Sequence, residues 1–93
     1  MTWYVYIVTC SDDTLYCGVT SDITRRLNEH NGMLPGGAKY TRTRRPIRLA
    51  VSIEVQSRSE ACKIEWLVKR MPREKKIEHL SILELEYSSA IIY

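Results

Sequence analysis

Phenylalanine is absent from this chain, which has only four glycines, three prolines and two histidines in 93 residues. No apolar run approaches the roughly 18 residues that a membrane span needs, so no membrane partner is expected. The first residues show no basic stretch followed by an apolar one, so no signal peptide is expected either. The three cysteines, Cys10, Cys17 and Cys62, are odd in number and lack metal-ligand spacing, and with so few histidines nothing points to zinc. They read as small, half-buried hydrophobic groups kept reduced in the cytoplasm. One further absence is local. Residues 39–48 contain no acid, although Lys39, Arg42, Arg44, Arg45 and Arg48 crowd into those ten positions.

At 44% hydrophobic and 27% charged, the chain can bury a modest core and form a single domain over residues 1–93. Net charge is only +3, so the basic cluster says more than the total. It implies a polyanionic partner, against the plainer reading of a solvated loop. Tyr40 inside the cluster could stack on a base, and Gly36-Gly37 just before it permit close backbone approach.

Trp3 to Cys10 is rich in β-branched and aromatic residues and predicts a strand. Ser11-Asp12-Asp13 is turn chemistry, and Leu15 to Thr20 predicts the second strand of a hairpin. A three-residue loop would pair Cys10 with Thr14, set Tyr6 opposite Gly18, and place Tyr6 and Tyr16 on one face. A two- or four-residue loop without a bulge would separate the tyrosines onto opposite faces. Asp22 caps a predicted helix that ends at Asn31-Gly32. On it Ile23, Arg26, Leu27 and His30 share one side, with Asp22, Arg25 and Glu29 on the other. Residues 32–46 read as a loop closed by Pro46, and Ile47 to Val55 as a third strand. Ser57-x-x-Glu60 is a capping box that starts a long helix, which Pro72 ends near Met71. On that helix Ala61, Ile64, Glu65 and Val68 form one stripe. A helix from Arg73 to Leu80 follows, and Ser81-x-x-Glu84 could cap a final short one. The expected fold is α/β, a three-stranded antiparallel sheet flanked by helices.

Tyr4-Val5-Tyr6, then Tyr16-Cys17-Gly18, then Arg25-Arg26-x-x-x-His30-Asn31, with Glu65 on a later helix, form an ordered series. From about Trp3 to Leu80 this series resembles the GIY-YIG nuclease superfamily. More closely it resembles the small stand-alone GIY-YIG proteins related to the nuclease subunit of structure-selective endonucleases. Tyr4 stands where the superfamily usually has glycine, and Cys17 also departs from the pattern. No asparagine follows Glu65, and Val19 replaces the basic residue of some repair-type members.

The resemblance implies a divalent-metal-dependent DNA endonuclease holding one Mg²⁺ or Mn²⁺. Glu65 would be the metal ligand, since one carboxylate with waters and a substrate phosphate suits these hard ions. The competing reading of Glu65 is a structural ion pair with an arginine, Arg26 included. Arg26 would hold the scissile phosphate through two parallel hydrogen bonds, with Arg25 as competitor by adjacency. Tyr6, slightly favoured as base, and Tyr16 would handle the attacking water. Tyr4 and Tyr40 are not excluded from the site. His30 could shuttle a proton or bind phosphate, or be an ordinary core histidine. Lys39, Tyr40, Arg42, Arg44, Arg45 and Arg48 would grip nucleic acid, single-stranded DNA first. The alternatives are branched or flap DNA cut together with a partner subunit, and a module that binds nucleic acid without cutting.

Overall fold

The structure is a computed structural model that describes the backbone of residues 2–92 and the side chains of residues 2–86. Strands β1 (Trp3–Thr9) and β2 (Leu15–Thr20) form the hairpin, followed by helices α1 (Ile23–His30) and α2 (Lys39–Arg42). Strand β3 (Arg48–Val55) and helices α3 (Arg58–Lys69) and α4 (Arg73–Ile92) complete the order. The three strands are antiparallel in the order β2-β1-β3, so β1 is bonded on both sides.

The hairpin has the three-residue loop. The Cys10 amide donates to the Thr14 carbonyl at 2.9 Å, and Asp13 takes the left-handed conformation (φ 64°) that such a loop uses at its last position. Asp12 fixes the turn by accepting from the Thr14 hydroxyl at 2.6 Å. Tyr6 therefore lies opposite Gly18 and Val8 opposite Tyr16, and both tyrosines share one face. Between Ile7 and Val8 the pairing with β3 slips by one residue, leaving Ala50 as a bulge.

Alternation sorts the sheet into two packed faces. Val5, Ile7, Cys17, Val51, Ile53 and Val55 meet Ala61, Ile64, Val68 and Leu80 of α3 and α4. Tyr6, Val8, Cys10 and Ile47 form a smaller cluster covered by Tyr16 and by Ile23 and Leu27 of α1. The second face is the more polar because the three-residue hairpin loop delivers tyrosines to it. Asp22 caps α1 by accepting from the Arg25 amide at 3.0 Å, and Ser57 caps α3 through the Glu60 amide at 3.1 Å. Asn31, past the end of α1, clamps the approach to β3: it accepts from the Ile47 amide at 2.7 Å and donates to the Ile47 carbonyl at 2.9 Å.

Two expectations are corrected. Ser81 does not begin a separate short helix; α4 runs unbroken through it. No glycine or proline interrupts residues 73–92, and Leu80 and Leu83 on either side pack against the same core. The stretch from 32 to 46 is also not all loop, since residues 39–42 form one helical turn.

Gly18 has a specific packing reason. A Cβ there would lie 2.5 Å from the Tyr6 hydroxyl and 2.7 Å from its ring, and the ring end is anchored, not free to swing. Gly18→Ala should therefore destabilise the fold by about 1–3 kcal/mol, the usual cost of overpacking. Urea unfolding checks this; a loss under about 0.5 kcal/mol would show that the ring yields freely.

Candidate active site

The site is built on the α1 face around His30, whose side chain is fully buried. Its Nε2 lies 2.8 Å from the Tyr6 hydroxyl and its Nδ1 2.8 Å from the Thr41 hydroxyl. The imidazole also meets both tyrosine rings edge-on, Tyr6 at 5.8 Å and Tyr16 at 5.3 Å between centroids. From the same helix face Arg26 Nε donates to the Tyr6 hydroxyl at 3.3 Å. Tyr6, Tyr16, Arg26 and His30 are thus brought together by one register and one helix face.

Arg26 is held more firmly than its sequence position implied. Its Nη1 donates to Glu29 at 2.7 Å and to the Gly36 carbonyl at 2.9 Å. Glu29, assigned to the opposite side of α1 by helical spacing, reaches round to Arg26 and also accepts from Arg25 at 3.2 Å. Among the described residues Nη2 has no hydrogen-bond partner. A phosphate would meet Arg26 through that nitrogen, not through two free parallel donors. A groove of about 430 Å³ opens beside it, lined by Thr20, Ser21, Asp22, Arg25, Arg26 and Glu29.

Glu65 does not join this cluster directly. It is half-buried on α3, and its ion pair is with Lys69 at 3.4 Å, one turn along, rather than with Arg26. Lys69 links the two regions, since its ammonium lies 5.9 Å from the centre of the Tyr16 ring. Sequence reading missed Lys69, although the i,i+4 spacing from Glu65 was a usable signal. It also missed Thr41, for which no pattern existed.

The basic cluster divides. Arg44 donates to Asp12 at 3.1 Å and to the Tyr40 carbonyl at 2.8 Å, and lies 4.0 Å over the Tyr40 ring. Arg45 donates to the His30 carbonyl at 2.7 Å and so ties down the end of α1. Lys39, Arg42 and Arg48 are exposed. Tyr40 stacks on Tyr16, with ring centroids 5.8 Å apart. Gly37 makes its close approach to α1 itself, where a Cβ would come within 2.4 Å of the Glu29 carbonyl. Tyr4 bonds Glu54 at 3.3 Å, apart from the cluster around His30.

Burial raises the Tyr6 phenol to about 12, against a lowering by the hydrogen bond from Arg26. Burial also lowers the His30 imidazole to about 4, with Arg26 adding to the effect. The ground state is therefore a neutral phenol beside a neutral imidazole. Burial works against the Arg26 charge, but its bonds to Glu29 and Tyr6 hold it above its ordinary value. Burial pushes the Cys17 thiol up to about 12, and the Glu65 charge adds to this.

Among the described residues no three His, Cys, Asp or Glu side chains converge on a common point. A single carboxylate such as Glu65 would suit a hard divalent ion that keeps most of its water shell.

An antiparallel sheet that brings two tyrosines, an arginine and a histidine to one face defines a GIY-YIG domain. Residues 2–78 match the family described as the GIY-YIG catalytic domain, and the chain belongs to that family. It is 47% identical over 74 residues to UPF0213 protein DP2720 of Desulfotalea psychrophila, spanning 80% of this chain and 66% of that protein. UPF0213 protein SAG0778 of Streptococcus agalactiae is 46% identical over 77 residues, 83% of this chain and 85% of the relative. The solution NMR structure of UPF0213 protein BH0048 from Bacillus halodurans aligns with a TM-score of 0.55 at 40% identity, covering 94% of this chain and 90% of that one. That of EF2693 from E. faecalis gives 0.62 at 36% identity, covering 91% and 88%. This is a nuclease family, and its domain implies a DNA substrate.

The buried imidazole makes stability depend on pH with a definite sign. Unfolded, His30 titrates near 6.5; folded, at about 4. Between these values the unfolded chain carries a proton that the folded chain does not. Stability is then fully present above pH 6.5 and is lost as pH falls toward 4. Between pH 7 and 4.5 the native protein should lose on the order of 2 kcal/mol more than His30→Gln does, read from urea midpoints at both pH values. Equal losses would show that His30 does not carry this dependence.

Proposed function

We propose that this protein hydrolyses phosphodiester bonds in DNA, with single-stranded DNA the preferred substrate. The observation that carries the reading is the open Nη2 of Arg26 at the rim of a groove, beside a Tyr6–His30 pair that can take up a proton. Hydrolysis needs water deprotonated as it attacks, charge stabilised on the phosphate, and a neutralised leaving oxygen. Arg26 would supply the second requirement, usually the largest contribution. Tyr6 receives the proton, and Tyr16, half-buried beside the same imidazole, orients the water or phosphate. Glu65 would hold one Mg²⁺ or Mn²⁺, which supplies Lewis-acid polarisation of the phosphoryl oxygen when bound.

The exposed Lys39, Arg42 and Arg48 would track the strand beyond the scissile phosphate. Tyr40 contacts Tyr16 and Arg44 yet stays exposed, so it would offer a base the part of its ring that they leave open. No helix among the described residues is long and apolar enough to cross a membrane. Three cysteines free of disulfides support a reducing, cytoplasmic setting. One observation favours a second reading, a module that grips without cutting: Glu65 is already engaged by Lys69.

Purified protein incubated with labelled single-stranded, duplex and branched DNA, with and without Mg²⁺ or Mn²⁺, separates these readings. Glu65→Gln should abolish metal-dependent cleavage with the fold retained by circular dichroism. Cleavage within about threefold of native would remove Glu65 from the metal site. Arg26→Ala should keep affinity and slow the chemical step by on the order of a hundredfold; loss of affinity alone would reassign it to gripping.

The salt dependence of binding tests the outer contacts. Each single-strand phosphate contact contributes roughly −0.7 to the slope of log affinity against log salt. The double variant Lys39→Ala/Arg42→Ala should flatten that slope by about 1.4 and leave cleavage at saturating DNA unchanged. An unaltered slope would place the strand elsewhere on the surface.

A further inference from the structure

The hydrogen-bond chain through His30 has a direction, which follows from counting protons. Four contacts lie in series: Arg26 Nε to the Tyr6 hydroxyl at 3.3 Å, Tyr6 to His30 Nε2 at 2.8 Å, His30 Nδ1 to Thr41 at 2.8 Å, and Thr41 to the Ala38 carbonyl at 3.0 Å. Each hydroxyl has one proton to give, and a neutral imidazole has one N–H. Arg26 can only donate, and the Ala38 carbonyl can only accept.

If the imidazole proton is on Nδ1, all four contacts are hydrogen bonds. Arg26 donates to Tyr6, Tyr6 to Nε2, Nδ1 to Thr41, and Thr41 to Ala38. If the proton is on Nε2, the chain breaks. The Tyr6 oxygen then receives two donors and its own proton has no acceptor among the described residues, while Thr41 must choose between Nδ1 and Ala38. The Ala38 carbonyl already accepts from the Thr41 and Arg42 amides at 3.2 Å each, so it does not compel the Thr41 proton, but the Tyr6 proton would still lack a protein acceptor. Tyr6 is 2% exposed and His30 and Thr41 fully buried; with Nε2 protonated, Tyr6 could give its proton only to a water entering the site, and would then donate to that water with no lone pair left to take the water's proton.

We propose that Thr41 is the positioning residue of this site: it holds His30 with its proton on Nδ1, so that the Tyr6 proton is aimed at Nε2 and His30 is the terminal acceptor of a water–Tyr6–His30 relay. The relay rests on the nuclease reading above; the tautomer does not. In the relay a water proton passes to the Tyr6 oxygen as the Tyr6 proton passes to Nε2. The water oxygen bonds to phosphorus, the ester P–O bond breaks, and the leaving oxygen takes a proton from solvent. The imidazolium later returns its extra proton to solvent through Tyr6, so one water is consumed and both side chains are restored. Such a relay needs no standing phenolate, which suits a phenol raised to about 12, and its imidazolium is transient, since burial and Arg26 hold His30 neutral at rest. It also explains why an otherwise unremarked threonine on a four-residue helix is fully buried.

Long-range ¹H–¹⁵N correlation spectra of the protein read the tautomer directly. Only one other histidine, His79, is present, and His79→Gln identifies the His30 signals. The native spectrum should show Nδ1–H for His30. Thr41→Val, nearly the same shape without the hydroxyl, should shift the population toward Nε2–H and slow single-turnover cleavage by tenfold or more. Thr41→Ser should restore both. A native spectrum with Nε2–H overturns the proposal whatever the variants do. So does a Thr41→Val protein that keeps the native tautomer, or one that loses it and cleaves at the native rate. A native protein that shows Nδ1–H yet cuts no DNA overturns the relay together with the nuclease reading, and leaves the tautomer assignment standing.

Discussion

Tyr6 and Gly18 face each other across the first two strands, and the ring of one occupies the volume a Cβ on the other would need. This contact fixes three things at once. It sets the height of the phenol above the sheet. It places the hydroxyl where His30 and Arg26 can reach it from α1. Through the same register it puts Tyr16 two positions along on the same face, against the other edge of the imidazole. A one-residue slip between the two strands would leave Tyr16 on the opposite face from Tyr6.

The aliphatic side is what permits the other face to be polar. Ten buried residues from the sheet, α3 and α4 pack there, while the α1 side has a smaller cluster mixed with phenol, imidazole and guanidinium. Buried polar groups are tolerated only when each is satisfied. Here satisfaction comes from distant parts of the chain. Thr41 and Ala38 complete His30, Glu29 and the Gly36 carbonyl complete Arg26, and Arg45 closes the end of α1. The segment between α1 and β3 is thus a structural lining of the site as well as the bearer of exposed cations.

The strands, their register and the caps at Asp22 and Ser57 were legible in the sequence because they follow from local rules: alternation, loop length and side-chain capping. The inward side of α1, with Arg26 and His30, was legible by the same periodicity. What was not legible depends on reach or on long-range contact. Grouping Glu29 with the outer side of α1 hid that it follows Arg26 by three positions, a spacing at which helix side chains meet. Tyr40 is exposed as a surface aromatic would be, but its stacking on Tyr16, far away in sequence, had no local sign. Ser81 satisfied a capping pattern that carries no information on whether the chain before it is already helical. Arg44 and Arg45 counted with the other cations, and no local pattern showed that each is also tied into the fold, to Asp12 and to the His30 carbonyl.

The order of the sheet has a consequence for how the molecule opens. β1 is the central strand, its amides bonded to neighbours on both sides, so Tyr6 sits on the part of the backbone that exchanges its amide hydrogens last. Lys39 and Arg42 sit on a single helical turn whose cap makes no side-chain hydrogen bond, but the same turn carries the buried Thr41 that is bonded to His30. Opening of that turn would release the imidazole from one side while the phenol keeps its place on the central strand.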